Sequence, residues 1–414
     1  MKMEVEITES YDLNREKVTI TYLFLTFLKI GCLSFGGHMA LISLVQRILV
    51  GQDKTIDNEA VLNSVAVGSF MPGPLAVNVV ANIGYLLKGK WGAAVSMFAV
   101  LLPACILILC LAFIYFSTGS KIEWTAVMQF VGTAVGVIIF VTGVQMFKKD
   151  IALSSYYKIG LFLFAIILNL SWPNYVVTIS LIAVGAIFGL LTKPNKNHSG
   201  KAPDNTRYNF KFRPNAFSFL IVSVLGLNQF LFISGLFKNY PNVLFKIATV
   251  FSGISISLFG GGYVIVPIMQ SLFVRDIGWL TSNEFVDAIA FSQVTPGPIL
   301  VSATFIGFKL AGIAGALVAT ACMFIPSAVL MIMVCKIFNK RKDHPAIKNM
   351  ISGVKVVVIG LIISSAIKIL LMQPKTLAVG LIFLISLALS FKYKLSPVYL
   401  IIGAIFLGTL TLFL

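Results

Sequence analysis

The chain has 414 residues, 58% of them hydrophobic and only 11% charged, with a mean hydropathy of +0.95. That excludes an ordinary soluble globular protein and leaves an integral membrane protein. The net charge of +17 fits basic loops that orient a polytopic chain in the membrane, so no nucleic-acid partner is expected.

Residues 1–17 mix Glu4, Glu6, Glu9 and Asp12 with Lys2, Arg15 and Lys17. They lack the basic start and short apolar core of a leader, so a cytoplasmic N-terminal segment with no cleaved signal is expected. Apolar windows follow at roughly 20–50, 60–87, 91–117, 125–147, 158–171, 173–192, 215–237, 243–272, 284–308, 311–336, 347–370, 375–391 and 395–414. A crossing helix needs about 20 apolar residues. The windows therefore predict an all-α polytopic fold of about 13 transmembrane segments.

Phe35-Gly36-Gly37 recurs as Phe259-Gly260-Gly261, and Pro72-Gly73-Pro74 as Pro296-Gly297-Pro298, each at an offset of 224 residues. Ile83-Gly84-Tyr85 answers Ile306-Gly307-Phe308, and Pro103 answers Pro326. A shared offset for unrelated motifs points to an internal duplication, with one repeat over 18–192 and another over 240–414. Between them lie a basic, Pro- and Asn-rich linker, 193–214, and an unmatched apolar segment, 215–239, expected to be a connecting transmembrane helix. If that segment spans, the second half sits upside down relative to the first. The basic loops favour this arrangement with a cytoplasmic N-terminus.

Proline has no N–H and clashes with the preceding turn, so each Pro-Gly-Pro is expected to break a helix at membrane depth. Broken backbone there is tolerated only against protein or a watery cavity. Inverted-repeat carriers use such breaks to aim helix N-termini at an anion. The expected substrate-binding set is accordingly Pro72, Gly73, Pro74, Pro296, Gly297 and Pro298, with the glycine-rich Phe35, Gly36, Gly37, Gly260, Gly261 and Gly262. Asn78, Gln293 and Ser302 are expected to supply hydrogen bonds and Lys29 positive charge. For the glycines, close helix packing is the competing explanation.

Glu59, Glu284, Asp287, Lys355 and His38 are the candidates for proton or charge relay, since an ionisable group within the membrane is functional by default. The competing explanation for the carboxylates is a helix-start role. The three histidines lack metal-ligand spacing and the five cysteines lie in apolar windows without CxxC spacing, so no metal, cofactor or enzymatic site is expected.

The stretches "LKIGCLSFGG" and "PGPLAVNVVANIGY", with "LFGGGYVIVP", "WLTSNEFVDAIAFSQVTPGPILVSATFIGFKLAGIAGA" and "FIPS" in the second half, resemble the chromate ion transporter family in its long, two-domain form. The resemblance covers nearly the whole chain and is closer in the second half; in the first, His38 follows Phe-Gly-Gly and Ala104 stands where the second half has Ser327. It implies a secondary transporter of the inner (plasma) membrane that exports chromate, a tetrahedral dianion shaped like sulfate. The expected partners are a small inorganic anion, chromate or alternatively sulfate, and the lipid bilayer; a transporter of sulfate or another inorganic anion, or an anion channel of the same fold, is the alternative reading.

Overall fold

The structure is a computed structural model that describes residues 18–35, 38–117, 124–150, 156–191, 242–258, 263, 265–338, 345–393 and 395–410. The expected cytoplasmic segment, linker and connecting helix lie outside the described residues, as do Gly36, Gly37, Gly260, Gly261, Gly262 and the side chain of His38.

Every regular element among the described residues is helical. In the first half these are α1 (Ile20–Leu33), α2 (His38–Val45, widening into a looser turn over Gln46–Gln52), α3 (Asn58–Phe70), α4 (Leu75–Ser117), α5 (Trp124–Asp150), α6 (Tyr156–Ser171) and α7 (Tyr175–Leu191). The same series returns as α8 (Val243–Ser257), α9 (Ile265–Met269, widening over Gln270–Asp276), α10 (Ser282–Val294), α11 (Ser302–Phe338), α12 (Pro345–Leu371), α13 (Leu377–Lys392) and α14 (Pro397–Leu410). Polar caps set several of the starts. Thr19 accepts from the Tyr22 N–H at 3.0 Å, and Asn242 from the Leu244 N–H at 2.9 Å. Thr281 and Glu284 form a reciprocal capping box on α10, satisfying N–H groups that a helix start leaves without partners.

The helix does break at each Pro-Gly-Pro, but the chain then turns back instead of continuing across. Asn82 on α4 donates to the Ser64 hydroxyl on α3 at 2.9 Å, and Lys309 on α11 meets Glu284 on α10 at 2.6 Å. Such pairs, nearly equidistant from the turn, require antiparallel arms with Pro-Gly-Pro at the tip. Each leading arm has 13 residues, about 20 Å of helix against a hydrocarbon core of about 30 Å. The windows at 60–87 and 284–308 are thus hairpins reaching part of the way. Turning back lets the polar backbone of the tip be enclosed by protein, and both tips are buried.

A second reversal follows each hairpin. Lys88 and Gly89 leave helical geometry (φ −141° and 60°), as do Ala311 and Gly312 (φ −150° and 57°). The arms then pack backbone to backbone. A Cβ on Gly84 would lie 2.4 Å from the Gly92 carbonyl oxygen, and one on Gly307 2.3 Å from that of Gly315. Only glycine permits that approach.

The two halves exchange their last helices. α6 and α7 pack on α12 of the other half, α13 and α14 pack on α5, and α5 and α12 pack on each other. At the seams, a Cβ on Gly353 would sit 2.0 Å from the Gly185 carbonyl oxygen, and one on Gly408 2.8 Å from the Val127 Cα. The central stretches of α5 and α12 are largely buried, whereas the outer arms of α4 and α11 turn Phe98, Phe113, Leu317 and Met333 outward. Four helical stretches, Leu75–Ser117, Val127–Lys148, Ile299–Met333 and Ser352–Leu371, are long and apolar enough to cross a membrane, the first and third counted through the reversals at Lys88-Gly89 and Ala311-Gly312. The remaining apolar helices are shorter, at 10–17 residues.

Candidate functional site

The two tips are held by reciprocal contacts between the halves. The Gly73 N–H donates to the Leu258 carbonyl at 2.6 Å, and the Gly297 N–H to the Ser34 carbonyl at 3.0 Å. Ser34 and Leu258 are the residues immediately before the two Phe-Gly-Gly copies. Both glycines have left-handed φ, +102° and +120°, a region that favours glycine. Each also lies against the residue that follows the mid-helix proline of the other half. A Cβ on Gly73 would fall 2.1 Å from the Ser327 Cβ, and one on Gly297 3.3 Å from the Ala104 Cβ. The Ser327/Ala104 difference seen in the sequence is therefore a difference between the seats of the two tips.

This geometry corrects one expectation. Proline has no N–H, so each Pro-Gly-Pro contributes a single backbone donor, and that donor is occupied by a carbonyl of the other half. The backbone N–H groups left for a ligand belong to the helix starts just beyond. In α4 the first N–H bonded along the chain is that of Asn78, to Pro74, which leaves those of Leu75, Ala76 and Val77 without intrahelical acceptors. In the second half a single 3-10 turn, Ile299–Val301, leads into α11, and the corresponding bond is from Val301 to Pro298, leaving Ile299 and Leu300.

Most polar side chains at the tips are already engaged. Ser292 and Thr295 bond to backbone carbonyls within their own turn. Ser302, fully buried, aims its hydroxyl at the Met269 sulfur at 3.9 Å, and Thr304 bonds Thr320 at 2.7 Å. Asn78 donates to the Pro72 carbonyl at 3.0 Å, closing its own tip, while its side-chain oxygen lacks a partner among the described residues.

Gln293 is different. It is 8% exposed, lies four residues before Gly297, and its Nε2 has no hydrogen-bond partner among the described residues. Its Oε1 accepts from the Tyr263 hydroxyl at 3.4 Å, and Thr142 of α5, whose own hydroxyl donates to the Ile138 carbonyl at 2.8 Å, lies near that hydroxyl. Thr142 lines a cavity of about 530 Å³ together with Phe35, Gln145, Ser390 and Ser396. The second tip therefore holds, close to Phe35, a buried Gln293 donor without a partner among the described residues and two helix-start N–H groups, while the neighbouring cavity has Ile138, Val141, Leu395 and Pro397 in its wall beside the polar groups. Gln293 was legible as polar in the sequence; Tyr263 and Thr142 were not, because their role depends on contacts made across the fold.

The charged candidates are dispersed. α1 presses Gly31 against α4, where a Cβ would meet the Val100 carbonyl oxygen at 2.6 Å, and Lys29 stands on the exposed side of the same helix. Glu59 is exposed in the first turn of α3. Glu284 caps α10 and pairs with Lys309, the helix-start role that competed with relay. Lys355 is half-buried on α12. Asp287 alone among the carboxylate candidates is buried, at 3% exposure. No group of three or more His, Cys, Asp or Glu positioned to hold a metal occurs among the described residues.

Apolar helices of crossing length, polar hairpin tips sealed inside the protein and halves that clamp one another define a multi-pass helical membrane protein. The chain belongs to the chromate transporter family: the model of that family, described as chromate transporter, matches residues 21–190 and again 245–409. Among its relatives, a probable chromate transport protein of Synechococcus elongatus is 30% identical, over 92% of both chains. The chromate transport protein of Cupriavidus metallidurans is 28% identical, over 94% of this chain and 92% of that one. An uncharacterized transporter of Bacillus subtilis aligns at 28% identity over 89% of its own length but only 37% of this chain. No solved structure matches the chain.

Proposed function

We propose that this transporter carries tetrahedral oxyanions, chromate foremost, out of the cell across the inner (plasma) membrane. The observation that carries the reading is Gln293 Nε2, a buried donor with no partner among the described residues, beside the Pro296-Gly297-Pro298 tip. A buried donor with no acceptor costs about 1–3 kcal/mol, and an oxyanion oxygen would satisfy it. The helix-start N–H groups of Ile299 and Leu300 add the positive end of a helix dipole. Lys29, exposed on α1, is assigned in this reading to capture of the approaching anion. Relatives named as chromate transport proteins support the choice of anion.

Export is the direction that energetics favours. One charge crossing 100 mV is worth about 2.3 kcal/mol, so a dianion leaving a cell held near −150 mV gains about 7 kcal/mol. Uptake of the same ion would have to overcome that difference.

The proposal includes an inverted repeat of 18–192 and 240–414, joined by a crossing helix at 215–239, with the N-terminus and the 193–214 linker in the cytoplasm. α2 runs back along α1 and α9 along α8, with the Tyr22 hydroxyl donating to Asp53 at 2.5 Å and the Phe251 and Phe273 rings 5.2 Å apart, so four segments of each half cross and the count stays even. The recurring order of elements, the paired tip contacts and the basic loops support it. Single cysteines placed in the linker and at the C-terminus should label from opposite sides of the membrane; labelling from one side would overturn the inversion.

Flux into and out of proteoliposomes with an imposed potential, comparing chromate with sulfate, molybdate and phosphate, tests the function. Potential-driven chromate movement that Gln293→Leu reduces at least tenfold is the expected result. Absence of movement for every oxyanion would overturn the substrate class, preference for sulfate would reassign the substrate, and conductance far above carrier turnover would make the protein a channel.

A further inference from the structure

α10 carries a second polar group six residues before Gln293, about 9 Å nearer the open end of the hairpin. Asp287 is buried, and its Oδ2 accepts from the Tyr115 hydroxyl at 2.6 Å. The Tyr115 ring is fixed by edge contacts to Phe116, Phe291 and Phe305, with centroids 5.0, 5.7 and 5.4 Å away. Asp287 and Tyr115 both line a cavity of about 370 Å³, bounded by Gln129 of α5, Asn283 of α10 and Gln373 beyond α12. This cavity shares no lining residue with the one beside Phe35.

We propose that Asp287 is a proton-binding site that couples proton movement to anion transport. The inference rests on the oxyanion reading and supplies its coupling ion. Burying a carboxylate in the membrane is costly and marks function; structure alone does not require this one, since it caps no helix and forms no salt bridge among the described residues. A proton suits the site better than a metal cation. Among the described residues Asp287 is the one carboxylate lining the cavity, and its partner is a hydroxyl that donates to it, whereas calcium is held by oxygen ligands that usually include more than one carboxylate. In the proton step, the Asp287 carboxylate takes a proton from cavity water to become a neutral carboxylic acid, and later returns it to water.

The neighbouring elements leave this charge to Asp287. Glu284, one turn earlier, is held by Lys309 of α11. α5 contributes Met128 and Gln129, and the stretch after α12 contributes Met372, Gln373 and Pro374, followed by the exposed Lys375. In the turn after α9, Arg275 is exposed and Asp276 accepts from the Tyr175 N–H at 2.6 Å; Tyr399 of α14 is exposed. The first half has Asn63 where the second has Asp287, so the duplicated unit carries one such site. Because Asp287 and Gln293 ride on one short helix, a change of charge at one displaces the support of the other.

Two measurements on the full chain in lipid test this. Infrared difference spectra over a pH titration, without any oxyanion, should show the carbonyl band of a neutral carboxylic acid that Asp287→Asn removes and Asp287→Glu shifts. Proteoliposomes at alkaline pH, where chromate is the dianion, should move about one proton per chromate, read with an internal pH dye. Asp287→Asn should cut the flux driven by a pH gradient at zero potential about tenfold. Anion flux without proton movement, proton movement that survives in Asp287→Asn, or replacement of the pH gradient by a sodium gradient would overturn the proposal. A titrating band in a protein that carries no oxyanion would instead uphold the proton site and overturn the oxyanion reading.

Discussion

The Gly297 N–H donates to the Ser34 carbonyl at 3.0 Å, so the tip of the second hairpin is fastened to the first half of the chain. Gly73 and Leu258 make the matching bond in the other direction at 2.6 Å. Each half thereby holds the turn that its partner contributes. A displacement of one half against the other must strain or release both tips together, which is the property an alternating-access device requires.

Gly73→Ala should be the more damaging of the two glycine substitutions. Both force a side chain onto a left-handed backbone, worth about 1–2 kcal/mol, but the new Cβ at 73 would also overlap Ser327 at 2.1 Å, against 3.3 Å from Ala104 at 297. Thermal unfolding in detergent should show the larger loss for Gly73→Ala. Ser327→Gly should recover part of that loss and leave Gly297→Ala unimproved.

Gln293→Leu keeps approximate volume while deleting the open donor, and Gln293→Glu replaces it with a negative charge. Oxyanion flux should fall at least tenfold in the first and further in the second, with membrane insertion unchanged. Undiminished flux in Gln293→Leu would remove this side chain from the site.

Lys29→Ala should raise the half-saturating anion concentration several-fold while leaving the maximal rate near its original value. The exposed position of Lys29 on α1 suits capture of an approaching anion rather than its enclosure. Complete loss of flux with normal insertion would bring Lys29 into the binding site itself.

The Glu284–Lys309 pair closes the open end of the second hairpin at 2.6 Å, with side chains 18% and 27% exposed. Breaking it by Lys309→Met should cost on the order of 1 kcal/mol, above the least value of a fully exposed pair because Glu284 is partly buried. The exchange Glu284→Lys with Lys309→Glu should restore the ion pair but not the capping box, which depends on a carboxylate at 284. Recovery in a denaturation series should therefore be partial.

Gly353→Leu should be strongly destabilising, because its side chain would start 2.0 Å from the Gly185 carbonyl oxygen, where α12 meets α7 of the other half. Gly380→Leu, at a position with open space around the Cβ, is the control. Expression level and thermal stability in detergent should separate the two clearly.

The membrane class, the helical architecture and the breaks at both Pro-Gly-Pro motifs were legible in the sequence because each follows from local chemistry. Apolar composition excludes water as the surrounding solvent, and a proline lacks its N–H wherever it is placed. The common offset of the motifs likewise needed only the order of residues. Whether the chain continues or turns back after a break is decided elsewhere, by contacts such as Asn82 to Ser64 and Glu284 to Lys309. The fate of the tip donors was equally hidden, since the carbonyls that occupy Gly73 and Gly297 lie more than 180 residues away in the chain. Lys29, Gln293 and Asp287 all read as polar residues in apolar stretches; the tertiary structure alone turns Lys29 outward, leaves the Gln293 donor open and seats Asp287 against Tyr115. Burial and partnership belong to the packed assembly of both halves, and a single segment of sequence carries neither.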